Sequence, residues 1–145
     1  MYSQEQSYSP LSQKEKITSK NIGLQQIEFL GKLNLRLQEG DAEIRQTVEE
    51  YLNYNLPKIA GEVTGNNETR ALWLGPNEYL ILCENEKKDN IINELNISLT
   101  NSFYSIVDVS DYYLTMRLSG PKSIDVLTKA CPLNFDQALT KGNTC

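Results

Sequence analysis

The tightest polar cluster in the sequence is Asp108-Val109-Ser110-Asp111, two carboxylates and a hydroxyl within four residues. Such a set has two chemical uses: ligating a divalent cation, or supplying a catalytic carboxylate. Its plainer use is turn chemistry, with Asp and Ser bonding to nearby backbone. The plainer use is the stronger reading. Two carboxylates without histidine make a thin metal site, and magnesium wants phosphates nearby. Histidine is absent from the whole chain. That removes the commonest general base, the commonest metal ligand and the usual activator of a serine or cysteine nucleophile. Gly120-Pro121 opens a helix, where an anion can sit. Neither G-x-x-x-x-G-K-S/T nor G-x-G-x-x-G occurs, so a strand-to-helix corner is the better account. Arg117, the one charge on its strand, pairs with a neighbouring acid or faces a partner; the residues alone do not choose. Trp73, just before a turn, reads as a core or rim residue rather than a stacking platform for a base or pterin. No nucleophile–base pair, metal cluster or nucleotide fingerprint survives, so the chain by itself reads as non-catalytic.

The elements that would hold these residues follow from periodicity. Residues 103–109 and 112–118 alternate with period two, which predicts two strands, each with one buried face. Ser110-Asp111 between them predicts a tight hairpin. Pro121 stands where the first helical residue would be, since its missing N–H costs nothing there. Ile124, Leu127, Ala130 and Cys131 make a helical stripe, and Cys131-Pro132 ends it because a residue before proline leaves the α region. Upstream, residues 22–37 predict a strand or strand pair, with a bend or bulge at Gly31. Asp41 is the expected N-cap of a helix with Ile44, Val48, Tyr51 and Leu52 on one stripe. Residues 70–83 predict a hairpin turning at 75–78. Its return strand, 79–83, is almost unbroken in apolar residues, which predicts a central position covered on both faces. A short helix over 86–97 carries Ile91, Ile92 and Leu95, and residues 134–139 predict one more helical turn. The expected class is α+β: an antiparallel sheet with helices on one face.

Length and composition set the bounds. A chain of 145 residues predicts one domain. Residues 1–20, rich in Ser, Gln and Lys, predict a disordered tail, and 21–145 the domain. Fourteen basic against 19 acidic residues, net −5, argue against nucleic acid and anionic membrane as partners. No apolar run is long enough to span a membrane and the N-terminus shows no secretory signal, so a cytoplasmic protein is expected. The three cysteines, 83, 131 and 145, are spaced for neither disulfide pairs nor zinc. Cys83 and Cys131 read as small buried hydrophobes.

Two runs carry a family resemblance. One is Leu72 to Leu80, LWLGPNEYL, with Trp73, Gly75, Pro76 and Glu78 as its motif residues. The other is Ile106 to Phe135, IVDVSDYYLTMRLSGPKSIDVLTKACPLNF, with Asp108, Ser110, Gly120, Pro121, Leu127, Cys131 and Pro132. Together they resemble the gamma subunits of heterotetrameric sarcosine oxidases, related in fold to the folate-binding T-protein of the glycine cleavage system. The resemblance implies a T-protein-like (GcvT-like) fold with ferredoxin-like βαβ pieces. It also implies a partial domain, since the family continues past the segment resembled by Gly142 and Cys145. The implied complex demethylates sarcosine to glycine, passes the one-carbon unit to tetrahydrofolate and forms hydrogen peroxide. FAD, FMN, NAD and tetrahydrofolate are expected on partner subunits (alpha, beta, delta). The gamma-like chain is expected to have no catalytic, cofactor or metal residues and to act in subunit assembly, with the 79–83 strand and Tyr104 and Tyr113 at contacts. The alternatives are a stand-alone folate-binding module and the gamma-like subunit of a related N-methyl amino-acid dehydrogenase.

Overall fold

The computed structural model describes Leu11 and residues 16–139. Two antiparallel sheets and two principal helices build the fold. The strands are β1 (Ile17–Thr18), β2 (Gly23–Ile27), β3 (Leu30–Leu37), β4 (Val63–Gly65), β5 (Arg70–Gly75), β6 (Glu78–Glu84), β7 (Tyr104–Asp108) and β8 (Thr115–Ser119). The helices are α1 (Ala42–Leu52), α2 (Lys88–Ser98), α3 (Ser123–Ala130) and α4 (Phe135–Ala138). The larger sheet has the order β4-β5-β6-β3-β7, the smaller β1-β2-β8. The class is α+β as the periodicity predicts, but the single sheet is replaced by two.

The core lies between the larger sheet and α1 and α2. Leu33, Leu35 and Leu37 of β3 share a face with Ala71 of β5 and Tyr79, Ile81 and Cys83 of β6. Ile44, Val48 and Leu52 of α1, and Ile91 and Leu95 of α2, close over them. Burying a Leu or Val side chain is worth about 1.5–3 kcal/mol, so this layer is the main source of stability. The α1 start is set by Asp41, whose Oδ1 accepts from the N–H groups of Glu43 (3.1 Å) and Ile44 (3.0 Å). Its end is set by Asn53 in the left-handed region (φ 60°), one of the few residue types that tolerates it.

Gly31 lies inside β3 rather than at a bend. A Cβ there would stand 2.7 Å from Cys83 Sγ, so the glycine makes room for a neighbour strand's side chain. The break comes earlier, at Phe29, where φ is 51°. Ile17 and Thr18, placed in the polar tail on sequence grounds, pair with Leu24 and Gly23. The rest of that expected tail, apart from Leu11 and residues 16–20, lies outside the described residues. α3 starts at Ser123, so Pro121 precedes the helix instead of opening it; Ser123 N–H reaches back to Gly120 C=O (3.1 Å). Cys131 ends α3 in extended conformation (φ −140°, ψ 130°), as a residue before proline must.

The largest departure is the expected 103–118 hairpin. β7 and β8 do not pair with each other. β7 pairs with β3 and β8 with β2. Segments 23–37 and 104–119 therefore run antiparallel as one long two-stranded ribbon, broken in the middle, with each half in a different sheet. Leu37 faces Tyr104 and Leu33 faces Asp108 on one side of the break; Ile27 faces Thr115 and Gly23 faces Ser119 on the other. The register slips by one residue across the break.

Candidate functional site at the ribbon joint

The joint brings Lys32, Lys88, Asp108 and Ser110 together. Lys32 N–H donates to Ser110 Oγ (3.0 Å), and Val109 N–H to Lys32 C=O (2.8 Å). Ser110 N–H donates to Asp108 Oδ1 (2.9 Å), and its hydroxyl donates to the same oxygen. Asp108 Oδ2 pairs with Lys88 Nζ at 2.7 Å. Lys32 Nζ donates to two backbone carbonyls, Leu30 (3.1 Å) and Ser110 (3.0 Å). Ser110-Asp111 thus forms a single 3₁₀ turn, Ser110–Tyr112, that carries the chain from one sheet to the other. The polar cluster does turn chemistry, as the plainer reading had it, but the turn is a joint between sheets.

Charge follows the same geometry. Burial pushes the Asp108 carboxyl up, and hydrogen bonds from Lys88 and Ser110 outweigh it, holding the group below the ordinary carboxylate range. The bond to Asp108 raises Lys88 above the usual lysine value. Lys32 is 5% exposed, and loss of solvent lowers its value despite Asp111 and Asp108 at longer range. Among the described residues no group of three His, Cys, Asp or Glu side chains is placed to hold a metal ion.

The other motif lies elsewhere. Trp73 is half-buried on the core face of β5, opposite Tyr79. Gly75 sits in a bulge between β5 and β6. Pro76 C=O accepts from the Tyr79 hydroxyl (3.2 Å), which is also bonded by Arg45, whose guanidinium lies 5.5 Å from the ring centroid. Glu78 accepts from Asn34 Nδ2 and pairs with Arg36, both at 2.8 Å, and these bonds, Asn34 first, lower its carboxyl's value. Glu78 lies beside Arg36 and Asp108 beside Leu33, on opposite faces of the sheet. The two motifs do not converge on one active site. Gly120 stands in the smaller sheet's corner at φ 101°, and a Cβ there would meet Asn21 C=O at 2.4 Å. Leu127 and Cys131 are half-buried, while Pro121 and Pro132 are exposed. Arg117 is exposed in β8 opposite Gln25.

Sequence reasoning missed Lys32 and Lys88. Lys32 occupies a polar position of an alternating strand, where a solvated lysine is the ordinary expectation. Only the return of Ser110 over it, 78 residues later, buries it.

A second surface is the sheet face away from α1 and α2. Val63, Leu72, Leu80, Asn34 and Val107 form one row across all five strands of the larger sheet. Four of the five are apolar and none is fully buried; Val107 is 49% exposed. The expected two-sided burial of strand 79–83 is therefore half met. Tyr79, Ile81 and Cys83 are buried, while Leu80 and Leu82 are only partly covered. Tyr113 is 58% exposed, but Tyr104 packs against the core and its hydroxyl donates to Asn96 Oδ1 (2.6 Å). After Leu99 no described residue is buried.

No family model matches the sequence. The sarcosine oxidase subunit gamma of Arthrobacter sp is 32% identical over 119 residues, 81% of this chain and 57% of that protein. Its counterpart in Corynebacterium sp. strain U-96 is 30% identical over 115 residues, 79% of this chain and 55% of that one. The solved heterotetrameric sarcosine oxidase from Corynebacterium sp. U-96, in complex with pyrrole 2-carboxylate, contains a chain that superposes with a TM-score of 0.73. Identity to it is 27%, over 83% of this chain and 61% of that one. The similarity to sarcosine oxidase gamma subunits thus runs through about four-fifths of this chain, which spans little more than half the length of those relatives.

Proposed function

We propose that this chain is a gamma-type, non-catalytic subunit of a cytoplasmic heterotetrameric sarcosine oxidase, serving assembly. The observation that carries the reading is the row Val63–Leu72–Leu80–Val107, an apolar sheet face with no full cover. A face of this kind on a folded layer marks a protein contact. The similarity to gamma subunits supports the kind of complex, and the absence of histidine supports chemistry on other chains. In this reading flavins, a nicotinamide dinucleotide and tetrahydrofolate sit on partner alpha, beta and delta subunits. Sarcosine is demethylated there, and the one-carbon unit passes to tetrahydrofolate with release of hydrogen peroxide. The T-protein-like fold is part of the same proposal.

The test is affinity capture of the chain from its own cells, with mass spectrometry of what co-purifies. Large flavin-bearing chains in fixed ratio support the reading, and sarcosine-dependent peroxide formation by the captured complex identifies the substrate. A chain that returns alone, as a stable monomer, overturns it.

A further inference from the structure

Among the described residues, the joint leaves one buried charge without a direct ion pair. Lys32 Nζ has three N–H donors, and two are spent on the carbonyls of Leu30 and Ser110. Among the described residues no carboxylate forms an ion pair with it; Asp111 and Asp108 attract its charge only at longer range, and Asp108 is paired with Lys88. A buried ammonium that meets only carbonyl dipoles is costly compared with one that meets an anion. This lysine lines a cleft of about 480 Å³, in the range of small-ligand sites. Phe29, Tyr112, Tyr113 and Leu114 line the same cleft. Phe29 holds a positive φ there (51°), a conformation that costs a bulky residue energy and that clusters at binding sites. Tyr112 is 82% exposed and Phe29 52%, so this is aromatic surface left in water beside an unspent cationic donor.

We propose that the cleft binds a small organic carboxylate, its carboxylate taking the third N–H of Lys32 and its flat apolar body lying among Phe29, Tyr112 and Leu114. The site adjoins the assembly face, since Lys32 lies two residues along β3 from Asn34 on the same sheet face, but it opens on the cleft at the joint, and titration of the chain alone tests it separately from partner capture. Asp111 lies in the same cleft and opposes an anion at longer range. It limits the affinity and gives the proposal a distinctive handle: removing its charge strengthens binding.

The experiment is a titration of the isotope-labelled full chain with benzoate, followed by amide NMR, with benzamide as the uncharged analogue. Benzoate is expected to shift the amides of Lys32, Ser110 and Tyr113 saturably, and to bind about tenfold more tightly than benzamide, the value of one charge-assisted hydrogen bond. Lys32→Met is expected to abolish the difference between the two probes, and Asp111→Asn to tighten benzoate alone. No saturable shift with benzoate, or equal binding of the two probes to the unaltered chain, overturns the proposal without recourse to any variant. So does a Lys32→Met chain that keeps its fold and still prefers benzoate.

Discussion

Lys32 and Ser110, 78 residues apart in sequence, are joined twice: Lys32 N–H to Ser110 Oγ and Lys32 Nζ to Ser110 C=O, each at 3.0 Å. These bonds tie the two strands of the ribbon at the point where regular pairing stops. Without them the backbone N–H of Lys32, inside the fold, has no acceptor at the joint.

Ser110→Ala removes that acceptor and the hydroxyl bond to Asp108. A loss of about 1–3 kcal/mol is expected, the cost of leaving a buried donor unmet. Urea unfolding of the variant against the parent measures it. A change within error would mean that water replaces the hydroxyl.

The Asp108 carboxyl makes stability depend on acid. Its folded value lies below the unfolded value near 3.8, so its contribution is present above that pH and lost as pH falls through the folded value. Lys88 has the opposite sign: its contribution is present below about 10.5 and lost as pH rises through the folded value. Asp108→Asn is expected to flatten the stability profile at both ends. Melting temperature followed from pH 3 to 5 (about the carboxylate range) checks the acid end first, and a variant that keeps the parent's slope there would detach Asp108 from acid stability.

Cys83 is 2% exposed, and burial pushes its thiol up to about 11. Cys131 is only half-buried. A maleimide at mild pH is expected to label Cys131 in the native protein and Cys83 only after denaturation. Peptide mapping by mass spectrometry distinguishes them; equal labelling of both in the native state would contradict the packing of β6 against β3.

Gly31→Ala is expected to destabilise by about 1–3 kcal/mol through overpacking, since the added methyl meets Cys83 Sγ at 2.7 Å. The double variant with Cys83→Ala should recover part of the loss. A double-mutant cycle from denaturant curves reads the coupling. Additive losses would mean that the backbone carbonyl of Glu84, 3.2 Å away, and not the thiol, sets the limit.

Val107→Asp and Leu74→Asp place charge on exposed positions, 49% and 47% accessible, of the sheet face away from the helices. Stability is expected to change by less than about 1 kcal/mol, as for ordinary surface positions. Recovery of partner chains in affinity capture is expected to fall sharply for Val107→Asp. Undiminished recovery would move the contact surface away from this face.

Much of the fold is legible locally. The α1 stripe of Ile44, Val48 and Leu52, its Asp41 cap, the hairpin turning at 75–78 and the stop at Cys131-Pro132 all follow from neighbours a few residues apart. Hydrogen bonds within a turn or helix leave a short-range pattern of residue types. The nature of the Asp108–Ser110 cluster was legible too, because short polar side chains bond their own backbone wherever the chain turns.

Residue order alone marks the longer strands by their alternation and excludes histidine chemistry, but it leaves Ile17–Thr18 and Val63–Gly65 unmarked, and the face of β7 that packs on the core holds Tyr104 and Ile106 rather than Phe103 and Val107. It did not determine which strands pair. The alternation in 103–109 and 112–118 satisfies a local hairpin and the observed ribbon equally well, because alternation records a face and not a partner. Long-range packing puts β3 and β2, far upstream, in those places. That choice buries Lys32, spends Ser110 on a distant backbone and opens the cleft beside Phe29. Burial of a polar residue at a long-range contact depends on what returns over it, and residue spacing holds no record of that.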